Sequence, residues 1–264
     1  MHAGLNAMLT ALDAAPSPVY LFLRDDDAGW DDTGLFSLLD CTERAGVPID
    51  LAVIPQASSD ALARELCARI DAEPARVNVH QHGLAHCNHE TSERKCEFGS
   101  ARSVGAQRRD LLAGRDRLRQ SFGTRLDAIF TPPWNRCSAA TPALLAELGY
   151  AALSRDRSAP AQHALPELPV DVDWCKQRRA AALQGEDGGD RIGFELAQRL
   201  GMGHPVGLML HHAEMDACDL ALLDALLEAT ARHPHARWVP MGEIAGACKP
   251  TAATSPAGRQ RRIS

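Results

Sequence analysis

Three aspartates in a row, Asp25, Asp26 and Asp27, follow the apolar run "VYLFLR" within the stretch "LRDDDAGW". Adjacent carboxylates repel one another, and burying them unpaired is costly, so the run demands cations. His82 and His86, in "HQHGLAHCNH", are spaced i, i+4. On a helical turn such a pair shares one face, as metal-binding histidine pairs do. Two imidazoles and one carboxylate make a three-ligand set that leaves a coordination position for water. A cation and a partner histidine would then compensate the acids. Further polar groups stand at "TPPWNR" from Thr131, at "VDVDW" with Asp171, Asp173 and Trp174, and at "LMLHH" with His211 and His212.

Something must bring these distant residues together. Candidate strands are "PVYLFLR" from Pro18, "PIDLAVI" from Pro48, "RVNVH" from Arg76, "LDAIFT" from Leu126, "YAALS" from Tyr150, "LPVDV" from Leu168, "PVGLMLH" from Pro205 and "ARWVP" from Ala236. Helical periodicity fills most of the intervals, over Thr33 to Ala45, Ser59 to Ile70, Ala106 to Phe122 and Asp219 to Arg232. A short amphipathic helix carrying Leu5, Met8, Leu9 and Leu12 precedes the first strand. The alternation predicts an α/β fold, a distorted (β/α) barrel with seven or eight β/α units, with a doubly wound open sheet as the competing topology. In either, the C-terminal strand ends share one rim, and every polar group above follows a strand. "SRDRSAPAQHALPE" from Ser154 and "QRRAAALQGEDGGD" from Gln177 read as irregular.

The 264 residues carry a net charge of −6 and a pI near 6.0, which excludes a dedicated nucleic-acid binder. No stretch approaches the roughly 18 apolar residues of a membrane span. The N-terminus lacks the pattern of an export signal, and the eight cysteines form no CxxC pair, so reduced thiols in a cytoplasmic protein are expected. Residues 1–248 are expected to form the barrel domain, and 249–264, with four basic residues and few apolar ones, a disordered tail.

Taken in order, these motifs resemble the polysaccharide deacetylase family, carbohydrate esterase family four, whose fold is a distorted (β/α) barrel with five short motifs. The first is an aspartate pair: Asp26 would be the general base and Asp27 a metal ligand, although the triple Asp admits a register shifted by one. The second, His-(Ser/Thr)-x-x-His, is similar to His82-Gly83-Leu84-Ala85-His86, with His80 and His89 as lower-ranked ligands. The third is Arg-Pro-Pro-aromatic in the family and Thr131-Pro132-Pro133-Trp134 here. The arginine that contacts the base aspartate is missing, with Arg24 or Arg136 as substitutes, and Trp134 would supply a backbone N–H to the oxyanion. The fourth looks like Asp173 with Trp174, Asp171 being the second choice; Trp174 would wall the acyl group. The fifth, Leu-x-Leu-x-His, matches Leu208, Leu210 and His212, with His211 as the alternative. Strand alternation lets only one of the two histidines face inward.

The resemblance implies a metal-dependent hydrolase that removes an N-acyl, typically N-acetyl, group from a sugar or glycan precursor. One divalent ion, zinc or else cobalt, nickel or manganese, would sit on Asp27, His82 and His86. Asp26 would take the proton of the attacking water, His212 would protonate the departing amine, and Asp173 would orient that imidazole. Trp134, Trp174 and Arg136 would contact substrate. Hydrolysis of small or cyclic non-peptide amides, and a catalytically silent glycan-binding barrel, are the alternatives.

Overall fold

Eight apolar runs bounded by turn residues become eight parallel strands in the computed structural model, which describes residues 2–91 and 94–247. They are β1 (Val19–Ala28), β2 (Ile49–Val53), β3 (Val77–His82), β4 (Leu126–Thr131), β5 (Ala152–Leu153), β6 (Val170–Asp173), β7 (Val206–Leu210) and β8 (Ala236–Trp238). Around them lie α1 (His2–Asp13), α2 (Asp32–Ala45), α3 (Asp60–Ala72), α4 (Val104–Phe122), α5 (Thr141–Glu147), α6 (Trp174–Gln184), α7 (Gly188–Leu200), α8 (Ala217–Ala231) and α9 (Met241–Ala247). The expected tail, 249–264, lies outside the described residues.

The strand order is β5-β4-β3-β2-β1-β7-β6, with β8 paired to the start of β1. The two ends of this sheet meet. Val170 N donates to Arg155 O at 2.8 Å and Arg157 N to Val170 O at 3.0 Å, so the segment after β5 closes on β6. The result is a distorted barrel, not an open doubly wound sheet.

The central strands β1, β2, β3 and β7 bury both faces over most of their length. On β1, Leu21 and Leu23 pack outward with Leu208 and Leu210 of β7, under Leu35 and Leu38 of α2 and Leu223 and Leu227 of α8. Phe22 points the other way, into an interior cluster with Ile129, Val170 and Met209, closed at one end by Met241 and Ile244 of α9. Arg24 and Asp26 share the interior face with Phe22, because successive side chains alternate.

Two expectations fail. β1 does not end at the aspartates but runs through them to Ala28. The stretch from Gln177 is not irregular either: it forms most of α6 and the start of α7, and only the link between those helices is a turn, at the left-handed Gly185. The helical signal in α6 is weak because its apolar positions do not line one face; Leu183 is 89% exposed. Asp187 caps α7 by accepting from Asp190 N at 2.8 Å.

Helix α1 lies against α7 at backbone distance. A Cβ on Gly193 would sit 2.3 Å from the carbonyl carbon of Gly4, and one on Gly4 would sit 2.2 Å from the carbonyl oxygen of Asp190. Among the described residues no helix is long and apolar enough to cross a membrane. Gly193→Val should separate the two helices and lower the unfolding free energy by about 2 kcal/mol in a denaturant titration.

Candidate functional site

The three aspartates face three ways. Asp25 points to the helix side, where its Oδ2 lies 2.6 Å from His212 Nδ1 and its Oδ1 accepts from His212 N at 2.9 Å. Asp26 points inward, where both its oxygens meet one guanidinium: Arg24 Nε lies 2.8 Å from Oδ1 and Nη2 donates to Oδ2 at 2.9 Å. Asp27 should alternate outward again. Instead β1 bulges between Asp25 and Ala28, and Asp27 takes a left-handed φ of 70°. A bulge re-aims a side chain next to a site, and this one turns Asp27 to the rim.

There Asp27 Oδ1 lies 3.2 Å from His82 Nε2 and 3.1 Å from His86 Nε2. The three donor atoms fall within 4.8 Å of one another. Metal–nitrogen bonds of about 2.0–2.1 Å in a tetrahedron imply an edge of about 3.3 Å between ligand atoms, so this set fits a divalent ion. The tautomer fits too. His82 Nδ1 donates to the Thr131 carbonyl at 3.0 Å, so Nε2, which faces Asp27 and without an ion donates to it, is the nitrogen left to bind one.

The histidines do not share a helix, contrary to the i, i+4 expectation. His82 ends β3, and His86 sits in an irregular loop at φ 54°. Glu97, buried at 2% exposure, shapes that loop by accepting from Leu84 N at 3.2 Å and Ala85 N at 2.9 Å. Gly83 explains why the hydroxyl residue of the motif is absent. Its φ is 56°, and a Cβ there would lie 2.1 Å from Glu97 Oε2 and 2.6 Å from Pro133 Cγ. His86 is flanked by Trp30 and Trp134, with ring centroids 4.7 and 4.3 Å away. The lower-ranked ligands lie elsewhere. His80 is buried against Thr131 Oγ1 at 2.8 Å, and His89 contacts Arg102.

Of the two expected substitutes for the missing arginine, Arg24 is the one that reaches Asp26. It is fully buried, and besides Asp26 it reaches Ser154 Oγ at 2.7 Å, Asn135 Oδ1 at 2.6 Å and Met209 Sδ at 2.8 Å. Burial alone would raise the Asp26 pKa, but the Arg24 charge, helped by His82 and His211, holds it below the usual carboxylate range. Burial likewise pushes Asp27 up, and hydrogen bonds from the two imidazoles pull it well below that range. Arg136 does not reach Asp26; it donates to Lys95 O at 3.1 Å and lines the neighbouring cleft.

Three expected positions are corrected. His212 does not face the carboxylate pair. Both its ring nitrogens are engaged, Nδ1 by Asp25 and Nε2 by the Trp30 carbonyl at 2.6 Å. Burial opposes its charge, but the Asp25 carboxylate pushes its pKa up to about 9. The inward position belongs to His211, which follows Met209 on the face shared with Arg24 and Asp26; it lies close enough to help hold the Asp26 pKa down, and among the described residues its buried Nδ1 has no partner. Trp174 is no acyl wall: it is 1% exposed in the outer core, with Nε1 donating to Asp219 Oδ1 at 2.9 Å. Asp173 does not orient His212. It caps α6 by accepting from Lys176 N at 2.9 Å and borders the cleft. Asp171, the second choice, is held by Arg157 and by Gly207 N.

Trp134 packs on His86 and borders a cleft, with φ 56° and ψ 19°. A bulky residue in the left-handed region is strained, and such strain clusters at functional sites. Its cleft, of about 410 Å³, is also lined by Asn135, Arg136, Asp173 and Met209.

No family model and no curated protein matches the sequence. Solved structures do. A Mycobacterium smegmatis protein assigned as a polysaccharide deacetylase superposes with a TM-score of 0.63 at 17% identity, covering 89% of this chain and 94% of its own. A family 4 acetyl xylan esterase from Clostridium thermocellum, in complex with cobalt, gives 0.54 at 15% identity, covering 86% and 91%. A family 4 pseudoenzyme from Bacillus anthracis gives 0.54 at 13% identity, covering 84% and 63%. The fold is that of the polysaccharide deacetylases and family 4 carbohydrate esterases.

Elemental analysis of the purified protein after exposure to divalent ions should find about one ion per chain, and the double variant His82→Ala/His86→Ala should lose it. Arg24→Met should strand a buried carboxylate and cost about 3–5 kcal/mol of stability. The His212–Asp25 pair makes a pH prediction. The folded pKa of about 9 lies above the ordinary 6.5, so its stabilisation is full below pH 6.5 and is lost as pH rises through 9. Unfolding free energy should fall by on the order of 3 kcal/mol across that window, and Asp25→Asn should flatten the fall.

Proposed function

We propose that this protein is a metal-dependent hydrolase that removes an N-acyl group, typically N-acetyl, from a sugar or glycan precursor. The observation that carries this reading is the adjacency of two differently prepared carboxylates. Asp27 is joined to two imidazoles in a metal-ligand geometry, and Asp26, the next residue back, is ionised by a buried arginine. A catalytically silent barrel has no need of the second, although a pseudoenzyme shares the fold.

Asp27, His82 and His86 would hold a divalent ion, zinc by donor type with cobalt, nickel or manganese as alternatives, which would supply Lewis acidity to the reacting carbonyl and to the attacking water. Asp26 accepts the proton of the attacking water. Arg24 keeps that carboxylate ionised and fixed in orientation. The Trp134 N–H donates to the developing oxyanion. His211 gives its proton to the departing amine as the C–N bond breaks, in the role expected of His212. The products are the free amine and a carboxylate. Trp30 and Trp134 shield the reacting carbonyl from bulk solvent, the part expected of Trp174. His212 acts one layer out: its contact with the Trp30 carbonyl holds the loop that carries Trp30.

The cleft volume lies in the range of about 300–1,000 Å³ typical of small-molecule sites, which favours a soluble sugar or precursor over a polymer. A small cyclic amide is the alternative substrate. The seven described cysteines are all free, in keeping with a cytoplasmic setting.

Release of acetate and amine from a panel of N-acetylated and N-formylated sugars tests the proposal. Asp26→Asn should abolish turnover while the metal content stays that of wild type. His211→Gln should lower kcat by about 100-fold or more. His212→Gln should chiefly lower stability. Full activity in both Asp26→Asn and His211→Gln would defeat the assignment.

A further inference from the structure

The cleft beside Trp134 is charged in one sense. Four cations line it, Arg94, Arg136, Arg155 and Lys176, against Asp156 and Asp173. Their neutralisation is uneven. Arg155 is satisfied by Glu167, with Nη2 and an oxygen 2.6 Å apart. Asp173 spends an oxygen on the first turn of α6, and Asp156 one on Ser158 N at 2.8 Å. Among the described residues no carboxylate forms an ion pair with Arg94, Arg136 or Lys176. Lys95 adds a fifth cation at the mouth, its Nζ 5.9 Å from the Trp134 ring centroid.

Arg136 shows what this crowding does. Burial and the charge of Arg94 both push its pKa down, against a smaller opposing effect of Asp156. Four cations against two carboxylates leave the cleft with an excess of positive charge, which favours an anion within it. The cleft also adjoins the reacting groups. Asn135, in its wall, accepts from the same Arg24 Nη2 that holds Asp26, and Met209, also in its wall, touches that nitrogen. A ligand filling the cleft therefore lies one side chain away from the arginine that holds the proposed general base.

We propose that the acylated substrate carries an anionic group, a phosphate ester or a carboxylate, seated among Arg136, Lys176 and Arg94 while the acyl group lies against Trp134. The inference rests on the hydrolase reading for the acyl end, and on the cleft alone for the anionic end. Planar guanidinium forks suit either oxyanion, and Lys176 adds a point charge from the first turn of α6, where the helix dipole also favours an anion.

The test compares three probes on the full-length, zinc-loaded protein: N-acetylglucosamine, its 6-phosphate, and N-acetylmuramic acid, which carries a carboxylate. Calorimetric binding of glucosamine 6-phosphate is measured in parallel. At least one anionic probe should exceed the neutral sugar by about tenfold or more in kcat/KM, mainly through KM, and Arg136→Gln/Lys176→Gln should erase that advantage. Preference for the phosphate or for the carboxylate identifies which oxyanion is read. Equal hydrolysis of all three probes would overturn the anionic site and leave the hydrolase standing. Binding of glucosamine 6-phosphate that the double variant abolishes, with no hydrolysis of any probe, would keep the site and remove the hydrolase. Neither binding nor hydrolysis would overturn both.

Discussion

Three consecutive carboxylates at the end of one strand can be buried only if each finds its own positive partner. Here Asp25 meets the His212 imidazolium, Asp26 the Arg24 guanidinium, and Asp27 the pair of imidazoles at the rim. The partners lie in three directions, so the strand must present three faces in three residues. Alternation supplies two, and the bulge with its left-handed Asp27 supplies the third. Moving any one of these residues would put two carboxylates in one environment, where they could not both ionise.

The guanidinium on Asp26 comes from the first strand, not from the position before Pro132, where the resemblance would put an arginine. Thr131 occupies that position and does other work: its carbonyl accepts from His82 Nδ1 and from Gly83 N, and its hydroxyl meets His80. Asn135 and Ser154 then hold the Arg24 guanidinium from above and beside. Arg24 and Thr131 are thus the two departures from the motifs on this side of the site. Gly83 is a third departure with its own cause, the buried Glu97 that occupies the space a side chain would need.

Much of this was legible in the sequence, and the misses have physical reasons. All eight strands lie where apolar runs bounded by turn residues place them, because such runs have no other way to bury both faces. That same property hid which histidine faces the interior. In a parallel barrel both faces of a strand are apolar, so alternation groups Leu208, Leu210 and His212 without saying which face is the interior. The interior marker on β7 is Met209, beside Arg24. Trp174 was misplaced for a related reason: a tryptophan next to an aspartate looks the same whether it opens a helix toward the core or borders a cleft. Helical spacing misled at His82 and His86, because a loop turned by a left-handed glycine brings i and i+4 together as well. Glu97 and Trp30 carried little signal. Glu97 acts across a folded loop, and Trp30, three residues past Asp27, differs from any surface tryptophan only once His86 packs on it.

Because Arg24 and Asp26 sit two residues apart on one strand, acid and counter-charge form a rigid unit. A cation delivered by a loop would couple the basicity of the carboxylate to that loop's breathing, and substrate entry would perturb it. Here the loops at the rim can open, close or exchange sequence while the charge state of the central carboxylate stays set by the sheet beneath. Such insulation leaves the mouth of the barrel free to diversify in what it admits, with the Arg24–Asp26 pair left untouched.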